Sequence, residues 1–440
     1  MKKQVSLVFL LSLSAYAIEP EMNARIESLE NRVENIELNQ VLNKLNFGGS
    51  FFNQYESFYN KRSRTDLFAS EPTKQALNDD HDQYLSTFFM RAELNFDLAV
   101  TNSLSFFSTL GMSKFWNNDG RQSRSNNEGA SYKSLSGSYS IKDSTARFDV
   151  AYLRYHQKSS PWTFALGRMT TNYGPPLNQL DGLARTGTYP AMSYNVILDG
   201  VAAVYDFKEI FGGKNYFKLR LFYTPFLYID QEDRSEQISK NNDQVDSQAD
   251  LINFLGEFTS EVVPHIKRVN IFYSLYTVDG YYEENRQDSS KDGIEYEGTT
   301  ANTLYLGLED IAFSGLNLSY TYSQFSVRGS LVEGSANSYN HLFNINYTFD
   351  NSFNPGDIFG VEYIQNDDNK VPTDGTTLYV SDFYNQNNGE GYHLFYTLLI
   401  DRSQTMRIGY MNYHQRASEF YLNDIESTAQ STYLRWKAFF

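Results

Sequence analysis

The feature that most constrains the fold is an alternation of apolar and polar side chains with a period of two. In residues 90–98, every second side chain is apolar and every intervening one is polar, and residues 217–221 and 406–410 repeat the pattern. Because successive side chains of a β-strand point to opposite faces, each segment predicts a strand with one apolar and one polar face. A soluble sandwich shows this alternation in a few strands, whereas many such strands in sequence favour a closed barrel with a polar interior.

The alternating segments number about sixteen, and the connections between them are alternately short and long, which is typical of barrels in bacterial outer membranes. Short connections such as 99–103 are predicted to face the periplasm, and long ones such as 171–193 to face outward. The sequence therefore predicts an all-β fold, a transmembrane antiparallel β-barrel over residues 45–440. The predicted strands are residues 45–58, 84–98, 104–115, 146–157, 162–170, 194–207, 215–226, 250–259, 267–278, 301–311, 316–327, 338–349, 357–366, 391–401, 405–415 and 427–440.

Composition agrees with this fold and excludes other classes. The chain has 34 Tyr and 33 Phe among 440 residues, and an aromatic excess is what two interfacial girdles around a barrel require. A mean hydropathy of -0.51 excludes a helical membrane protein, and no apolar run after the amino-terminal stretch reaches the ~18 residues of a spanning helix. The net charge of -16 argues against a nucleic-acid partner, which would need a basic surface.

The amino terminus, residues 1–17, has the pattern of a secretory signal peptide. Lys2 and Lys3 precede the largely apolar residues 5–13, and Ala-Tyr-Ala at 15–17 supplies small residues at a cleavage site. The alternative is a short core helix. The pattern predicts export across the inner membrane.

Residues 18–44 follow a helical period instead. The apolar residues are spaced four, three, four and three apart, which predicts a short α-helical coiled coil of about two heptads. A coiled coil this short is stable mainly when another part of the molecule already holds the copies together. The alternative is a single amphipathic helix that packs on its own barrel or plugs it. The seam consists of Met22, Ile26, Leu29, Val33 and Ile36.

The last segment alternates through to Phe440. Leu434, Trp436 and Phe440 fall on one face, and Arg435 and Lys437 fall on the other. This ending resembles the carboxy-terminal signature of bacterial outer-membrane β-barrels, although an edge strand of a soluble sandwich is an alternative. A coiled coil before the barrel resembles that of some sugar-specific and anion-specific porins. The resemblance implies a homotrimeric porin in the outer membrane, with its amino-terminal helix in the periplasm. Its partners would be lipid, lipopolysaccharide and the small hydrophilic solutes or ions that diffuse through it.

The third long connection carries a second resemblance. A Gly-Arg pair, Gly167-Arg168, ends the fifth predicted strand, and the following loop is apolar enough between residues 177 and 184 to pack inside. This looks like the third loop of general bacterial porins, and the resemblance implies that Asp181 and Arg185 line the narrowest point with Arg168 facing them. An ordinary outer loop is the alternative. By strand parity, Arg168 falls on the same face as Trp162, Phe164 and Leu166, which are apolar and predicted to face outward. An inward Arg168 would therefore need a bulge at Gly167.

Strand parity also aims a set of charged side chains into the predicted lumen. Charged groups on lumen-facing positions can set the ion selectivity of a pore, or they can simply solvate and cross-link the wall. The set mixes basic and acidic groups, so the sign of selectivity does not follow from it. The pore-wall candidates are Arg91, Glu93, Lys218, Arg220, Arg407, Arg435 and Lys437.

No catalytic chemistry is predicted. The six His residues are scattered rather than set at metal-ligand spacing, and no nucleophile-elbow, Walker or zinc motif occurs. We therefore expect no enzyme activity, no cofactor and no metal site. The predicted outer loops 227–249 and 279–300 are acidic. They suggest an alternative function, a non-channel surface barrel that has an envelope-structural role or binds a partner, with carboxylates that can hold divalent cations. Solvated loops without a ligand are the simpler interpretation.

Overall fold

A computed structural model describes most of residues 45–440. The described residues are 45–64, 81–115, 146–171, 174–182, 185, 187–193, 197–208, 213–225, 250–279, 281–283, 294–311, 314–329, 335–350, 355–367, 389–416 and 425–440. The predicted signal peptide (1–17) and coiled coil (18–44) lie outside these ranges, as do the acidic loop 227–249 and much of 279–300.

The described chain is built almost entirely of β-strands. One short helix, α1 (Leu177–Leu180), lies between the fifth and sixth strands. Seventeen strand segments occur, and β9 and β10 are consecutive stretches of one strand because both pair with β11, which leaves sixteen strands. The segments are β1 (Leu45–Arg64), β2 (His81–Ala99), β3 (Leu104–Phe115), β4 (Arg147–His156), β5 (Trp162–Thr170), β6 (Ile197–Asp206), β7 (Asn215–Thr224), β8 (Asp250–Ser260), β9 (Ile266–Asp279), β10 (Tyr281–Glu283), β11 (Ile294–Ile311), β12 (Leu316–Gly329), β13 (Ser335–Thr348), β14 (Ile358–Asn366), β15 (Gly389–Asp401), β16 (Gln404–Gln415) and β17 (Ile425–Phe439).

The strands form a single closed antiparallel barrel. Each strand pairs with its sequence neighbours, and β17 pairs with β1 over a register that runs from Ser50 opposite Phe439 to Arg64 opposite Ile425. The Phe440 N–H donates to the Gly49 carbonyl at 3.1 Å, and the Gly49 N–H donates back at 3.0 Å. Closure pairs the strands that would otherwise be open edges. The predicted all-β antiparallel barrel of about sixteen strands is confirmed.

The two faces of the wall differ as the alternation predicts. On β17, Leu434 is 46% exposed on the outer face, whereas Tyr433 and Arg435 are buried on the inner face. Aromatic rings lie on the outer face near the short connections, where Trp162 contacts Tyr205 at 4.8 Å between ring centroids. In the part of the chain that the structure describes, no helix is long and apolar enough to cross a membrane.

The wall is uneven in height. Among the described segments, β3 to β8 contain 9 to 12 residues, as do β14 and β16, whereas β1, β2 and β11 contain 18 to 20. The predicted first strand ends at residue 58, whereas ladder pairing with β17 continues to Arg64. We call β3 to β7, which are consecutive short strands beside the loop that follows β5, the low side of the barrel.

Candidate functional site

The connection between β5 and β6 folds into the barrel in its described residues, 171, 174–182, 185 and 187–193, which we call the inner loop. Its apolar residues drive this placement: Leu177 and Leu180 of α1 are buried, as is Met192. One cluster joins Leu177, Ala191 and Met192 to the inner face of the wall, and another joins Leu180 to Ile358 and Phe395. The wall residues of the first cluster are Leu342, Ile364, Met411, Tyr413 and Tyr433.

A glycine sets the position of Asp181 at the end of α1. Asp181 is the carboxy-terminal cap of this helix, and Gly182 follows in the left-handed conformation with a φ of 64°. Glycine adopts this conformation without a Cβ penalty, so it ends helices readily. The Gly182 N–H donates to the Gln179 carbonyl at 3.2 Å. The turn holds the Asp181 carboxylate against the inner wall.

Asp181 is buried in a cationic pocket. The Arg407 guanidinium donates a short hydrogen bond to one carboxylate oxygen, and the Lys437 Nζ lies 3.8 Å from the other. Burial raises the pKa of this loop carboxyl, but the charges of Arg407, Lys437 and Arg435 outweigh it, so its pKa falls below the ordinary aspartate value. Asp181 is therefore ionised at neutral pH and attaches the inner loop to β16 and β17.

Arg185 makes a second ionic attachment on the other side of the inner loop. Its guanidinium donates to Glu257 of β8, which also accepts a 2.9 Å hydrogen bond from Arg220 of β7. The Arg185 Cζ lies 4.5 Å from the ring centroid of Phe272. One carboxylate thus links two arginines, and the cation–π contact adds to the hold on Arg185.

Neutral hydrogen bonds complete the attachment. Thr397 donates to the Leu180 carbonyl at 2.7 Å, and Ser323 donates to the Met192 carbonyl at 3.1 Å. Gln179 donates to the Tyr305 hydroxyl at 3.3 Å. These wall residues belong to β11, β12 and β15, so the inner loop follows the wall opposite β1 to β4.

The remaining predicted wall residues also point inward, and each has a partner. Arg91 contacts Glu93 at 2.7 Å and also pairs with Asp149. Arg435 donates to Gln54 at 2.9 Å, and Lys218 lies 3.3 Å from Asp206. The sequence reasoning missed Asp149, Gln54 and Asp206 because they lie on other strands.

Asp149 was missed for a local reason. The pairing of β3 with β4 shifts register between Thr109 and Leu110, so that Asp149 is an extra residue opposite them. A bulge of this kind re-aims one side chain, and here it directs the carboxylate inward. The only sequence signal is an acidic residue between Phe148 and Val150, and this signal does not predict a bulge.

Arg168 lies on the outer face of the wall, away from Asp181 and Arg185. The ladder between β5 and β6 runs without a shift from Trp162 to Thr170, so the bulge at Gly167 that an inward Arg168 would require is not found there. Arg168 instead contacts Asp199 of β6 at 2.7 Å. The expected position of Arg168 beside the other two is corrected: strand parity, rather than the loop resemblance, determines its direction.

A buried polar triad on the inner wall was also missed by sequence reasoning. His393 of β15 contacts Glu362 through Nδ1 at 2.7 Å and the Tyr433 hydroxyl through Nε2 at 2.8 Å. All three side chains are buried behind the inner loop. Buried polar groups that are mutually hydrogen-bonded make a rigid wall, so we assign the triad a structural role. Among the residues described, no three His, Cys, Asp or Glu side chains form a metal-ligand group.

Exposure of the inward-facing side chains varies with height in the lumen. At the level of the inner loop, Tyr305, Glu362 and Arg407 are at most 1% exposed, and the side chains of Arg91 and Asp149 are only 3% and 4% exposed. Nearer the short connections, the side chains of Lys218 and Arg268 are 36% and 40% exposed. Water therefore reaches the inner face near the short connections.

Comparison with known proteins supports the fold. A family model described as a protein of unknown function (DUF3373) matches residues 81–259, and no curated protein matches the sequence significantly. OprB of Pseudomonas putida superposes with a TM-score of 0.50 at 10% identity, covering 89% of this chain and 94% of that one. The outer membrane channel DcaP of Acinetobacter baumannii gives a TM-score of 0.47 at 12% identity, covering 90% and 97%. The barrel is similar to those of outer-membrane porins, as the sequence resemblance predicted.

Proposed function

We propose that this protein is a channel of the bacterial outer membrane through which small hydrophilic solutes or ions diffuse passively. The observation that carries the proposal is a closed barrel whose inner loop is fixed to the inner wall and whose inward-facing charges, such as Lys218 and Arg268, are exposed to solvent near the short connections. A closed barrel of about sixteen strands leaves an aqueous channel after its wall residues are placed. The apolar outer face and its aromatic rings suit insertion in lipid.

The constriction of this channel would lie between the inner loop and the low side of the wall. Asp181 and Arg185 fix the two sides of the inner loop, and Arg220 is shared between the loop attachment and the exposed wall. In this proposal Asp181 and Arg185 set the width of the passage by holding the inner loop in place. Arg168 takes no part.

Planar-bilayer recording tests the channel. Purified mature protein, with folding verified by heat-modifiable gel mobility, should give stepwise ohmic conductance, and a salt gradient should give the sign of ion selectivity. Folded protein that leaves the bilayer silent would refute the proposal. The alternative of a loop-based binder involves the acidic loop 227–249, which lies outside the described residues.

We further propose a homotrimer whose subunits meet on the low side of the wall. Arg168 and Asp199 form an ion pair on the outer face, with side chains 41% and 46% exposed. Arg168 is six residues along β5 from Trp162, which at ~3.3 Å per residue and a tilt of about 40° places it about 15 Å above that ring. The apolar band is about 25 Å tall, so the pair lies at membrane depth.

A second copy of this chain is the partner that fits such a pair. A charged side chain that faces lipid near mid-membrane costs about 2–4 kcal/mol, and a neighbouring barrel wall would shield the charges from lipid. A pore-forming barrel with a low side can also bury that side against copies of itself by closed symmetry.

The trimer is tested by replacing both charges. R168L/D199L should shift detergent-solubilised protein from trimer to monomer in native mass spectrometry, while the monomer still conducts. The matched control is R416L/E390L, which removes a looser outer pair separated by 3.8 Å. Trimers of unchanged stability in R168L/D199L would refute this interface.

A further inference from the structure

The inner face of β2, β3 and β4 carries a group of side chains that the loop attachment does not use. Phe107 lies in the ladder between Asp97 on one neighbouring strand and Tyr152 on the other. The Phe107 and Tyr152 rings stack at 5.1 Å between centroids with 19° between their planes. The Arg154 Cζ lies 4.4 Å from the Phe107 centroid. We call Phe107, Tyr152 and Arg154 the aromatic–guanidinium patch.

Arg154 differs from the other inward-facing arginines that the structure describes. Arg91, Arg220 and Arg407 each pair with a carboxylate, and Arg435 donates to an amide. Arg154 is exposed, and it makes no ion pair or hydrogen bond with the described residues. Its guanidinium is held over an aromatic ring, and its donors are directed at no acceptor among the described residues.

Asp97 is the acidic residue of this surface, and it does not pair with Arg154. Its charge acts on Arg154 electrostatically, but the two groups form no ion pair: Asp97 lies opposite Phe107, and Arg154 lies opposite Ser105, two residues further along β3. Asp97 likewise makes no hydrogen bond with the residues described here. The surface thus presents a guanidinium over the Phe107 ring, the Tyr152 ring stacked on Phe107, and the Asp97 carboxylate on the strand beyond Phe107.

These groups define the chemistry of a ligand. A guanidinium presents parallel N–H donors that match a carboxylate in a bidentate pair, and stacked rings offer a flat apolar edge to another ring. Asp97 would repel a second negative charge placed across Phe107 from Arg154. A solute with one carboxylate on a flat ring fits all three features.

We propose that the aromatic–guanidinium patch is a lumen subsite that binds ring monocarboxylates, with Arg154 as the carboxylate-binding residue. Arg154 is two residues from the end of β4, so the subsite lies near the mouth formed by the short connections. The proposal rests on the proposed channel only in that solutes enter the lumen.

Direct binding to the detergent-folded full-length chain tests the subsite without requiring conduction. We would titrate benzoate by NMR and compare it with acetate, which lacks the ring, benzyl alcohol, which lacks the charge, and terephthalate, which adds a second carboxylate. Benzoate should bind the wild type more tightly than all three. R154Q should weaken benzoate binding about ten- to hundred-fold, the range for a hydrogen-bonded charge.

Further variants separate a subsite from a general charge effect. R154K keeps the charge but lacks the bidentate fork, so it should restore only part of the affinity. F107L should weaken benzoate binding and leave acetate unchanged, and D97N should improve terephthalate binding. K218Q, which removes an inward cation that is already paired with Asp206, should bind benzoate as the wild type does.

The outcomes distinguish the two proposals. Equal benzoate affinity in R154Q and wild type, or equal affinity for benzoate and acetate in the wild type, would overturn the subsite. A silent bilayer with Arg154-dependent benzoate binding would overturn the channel and leave the subsite standing. Conductance without Arg154-dependent benzoate binding would overturn the subsite and leave the channel standing.

Discussion

Replacing Asp181 with Asn should detach the inner loop from the wall without preventing the barrel from closing. The Asp181 and Arg407 side chains are 6% and 1% exposed, so the pair is buried. Removing one partner of a buried ion pair costs about 3–5 kcal/mol, since the other charge is left uncompensated. Asn keeps the volume and one acceptor, so we expect the lower end, about 3 kcal/mol.

This loss falls on the equilibrium between the attached and the displaced inner loop. At 1.4 kcal/mol per factor of ten, about 3 kcal/mol raises the displaced population roughly 100-fold. Lys437 and Arg435 add to the effect, because three cations would then share the pocket without the carboxylate. The remaining attachment at Glu257 should keep the inner loop from leaving the lumen altogether.

Single-channel recording measures the change. D181N should show larger open-channel current noise and additional conductance levels, with thermal unfolding of the barrel nearly unchanged. D206N is the matched control: its partner Lys218 is 36% exposed, and an exposed pair contributes at most about 1 kcal/mol. D181N/R407M should be quieter than D181N, since it removes the uncompensated charge. Traces from D181N that match those of D206N would refute the attachment.

Three further outcomes follow from the same geometry. Because the pKa of Asp181 is lowered, its ionic attachment to the wall is complete above about pH 4, the ordinary aspartate value, and is lost as the pH falls through the lowered pKa. Channel noise should therefore be equal at pH 7 and pH 5 and should rise only in stronger acid. E257Q should disturb the inner loop less than D181N, by roughly 1–2 kcal/mol, because its two arginine partners are partly exposed to water, and noise analysis would rank the two variants. G111A should lower the thermal stability of the barrel by about 1–3 kcal/mol, because an added Cβ would overlap the Asp149 carboxylate and lie 2.9 Å from the Arg91 guanidinium. G256A, where the nearest atom is 3.7 Å away, should be tolerated.

The barrel could be predicted from sequence because its signal is local. A period of two assigns each side chain to a face from its immediate neighbours, and Arg91, Lys218 and Arg407 all point inward as assigned. The same rule placed Arg168 outward, beside Leu166. The resemblance to a porin loop favoured the opposite direction, and the uninterrupted ladder agrees with the parity.

The partners of the inward charges could not be predicted in the same way. Asp181 and Arg407 are 226 residues apart in the chain, and no spacing rule connects them. Asp149 required a bulge that shifts the register of a single strand pair. Arg154 and Phe107 point inward by parity, but only the structure reveals that this arginine has no acceptor within the described ranges, whereas the other inward-facing arginines do.

The seam between β1 and β17 has a consequence for how the barrel is made. Gln54 and Arg435, which meet across it, are 381 residues apart, so this pairing closes the longest loop in the wall and gains nothing until both ends are present. A nascent barrel that stops short of β17 exposes two unpaired edges, which are templates for adding strands from other chains. Before the seam forms, such an intermediate needs its edges covered by a chaperone or an assembly machine, and after it forms no edge is left for either to hold.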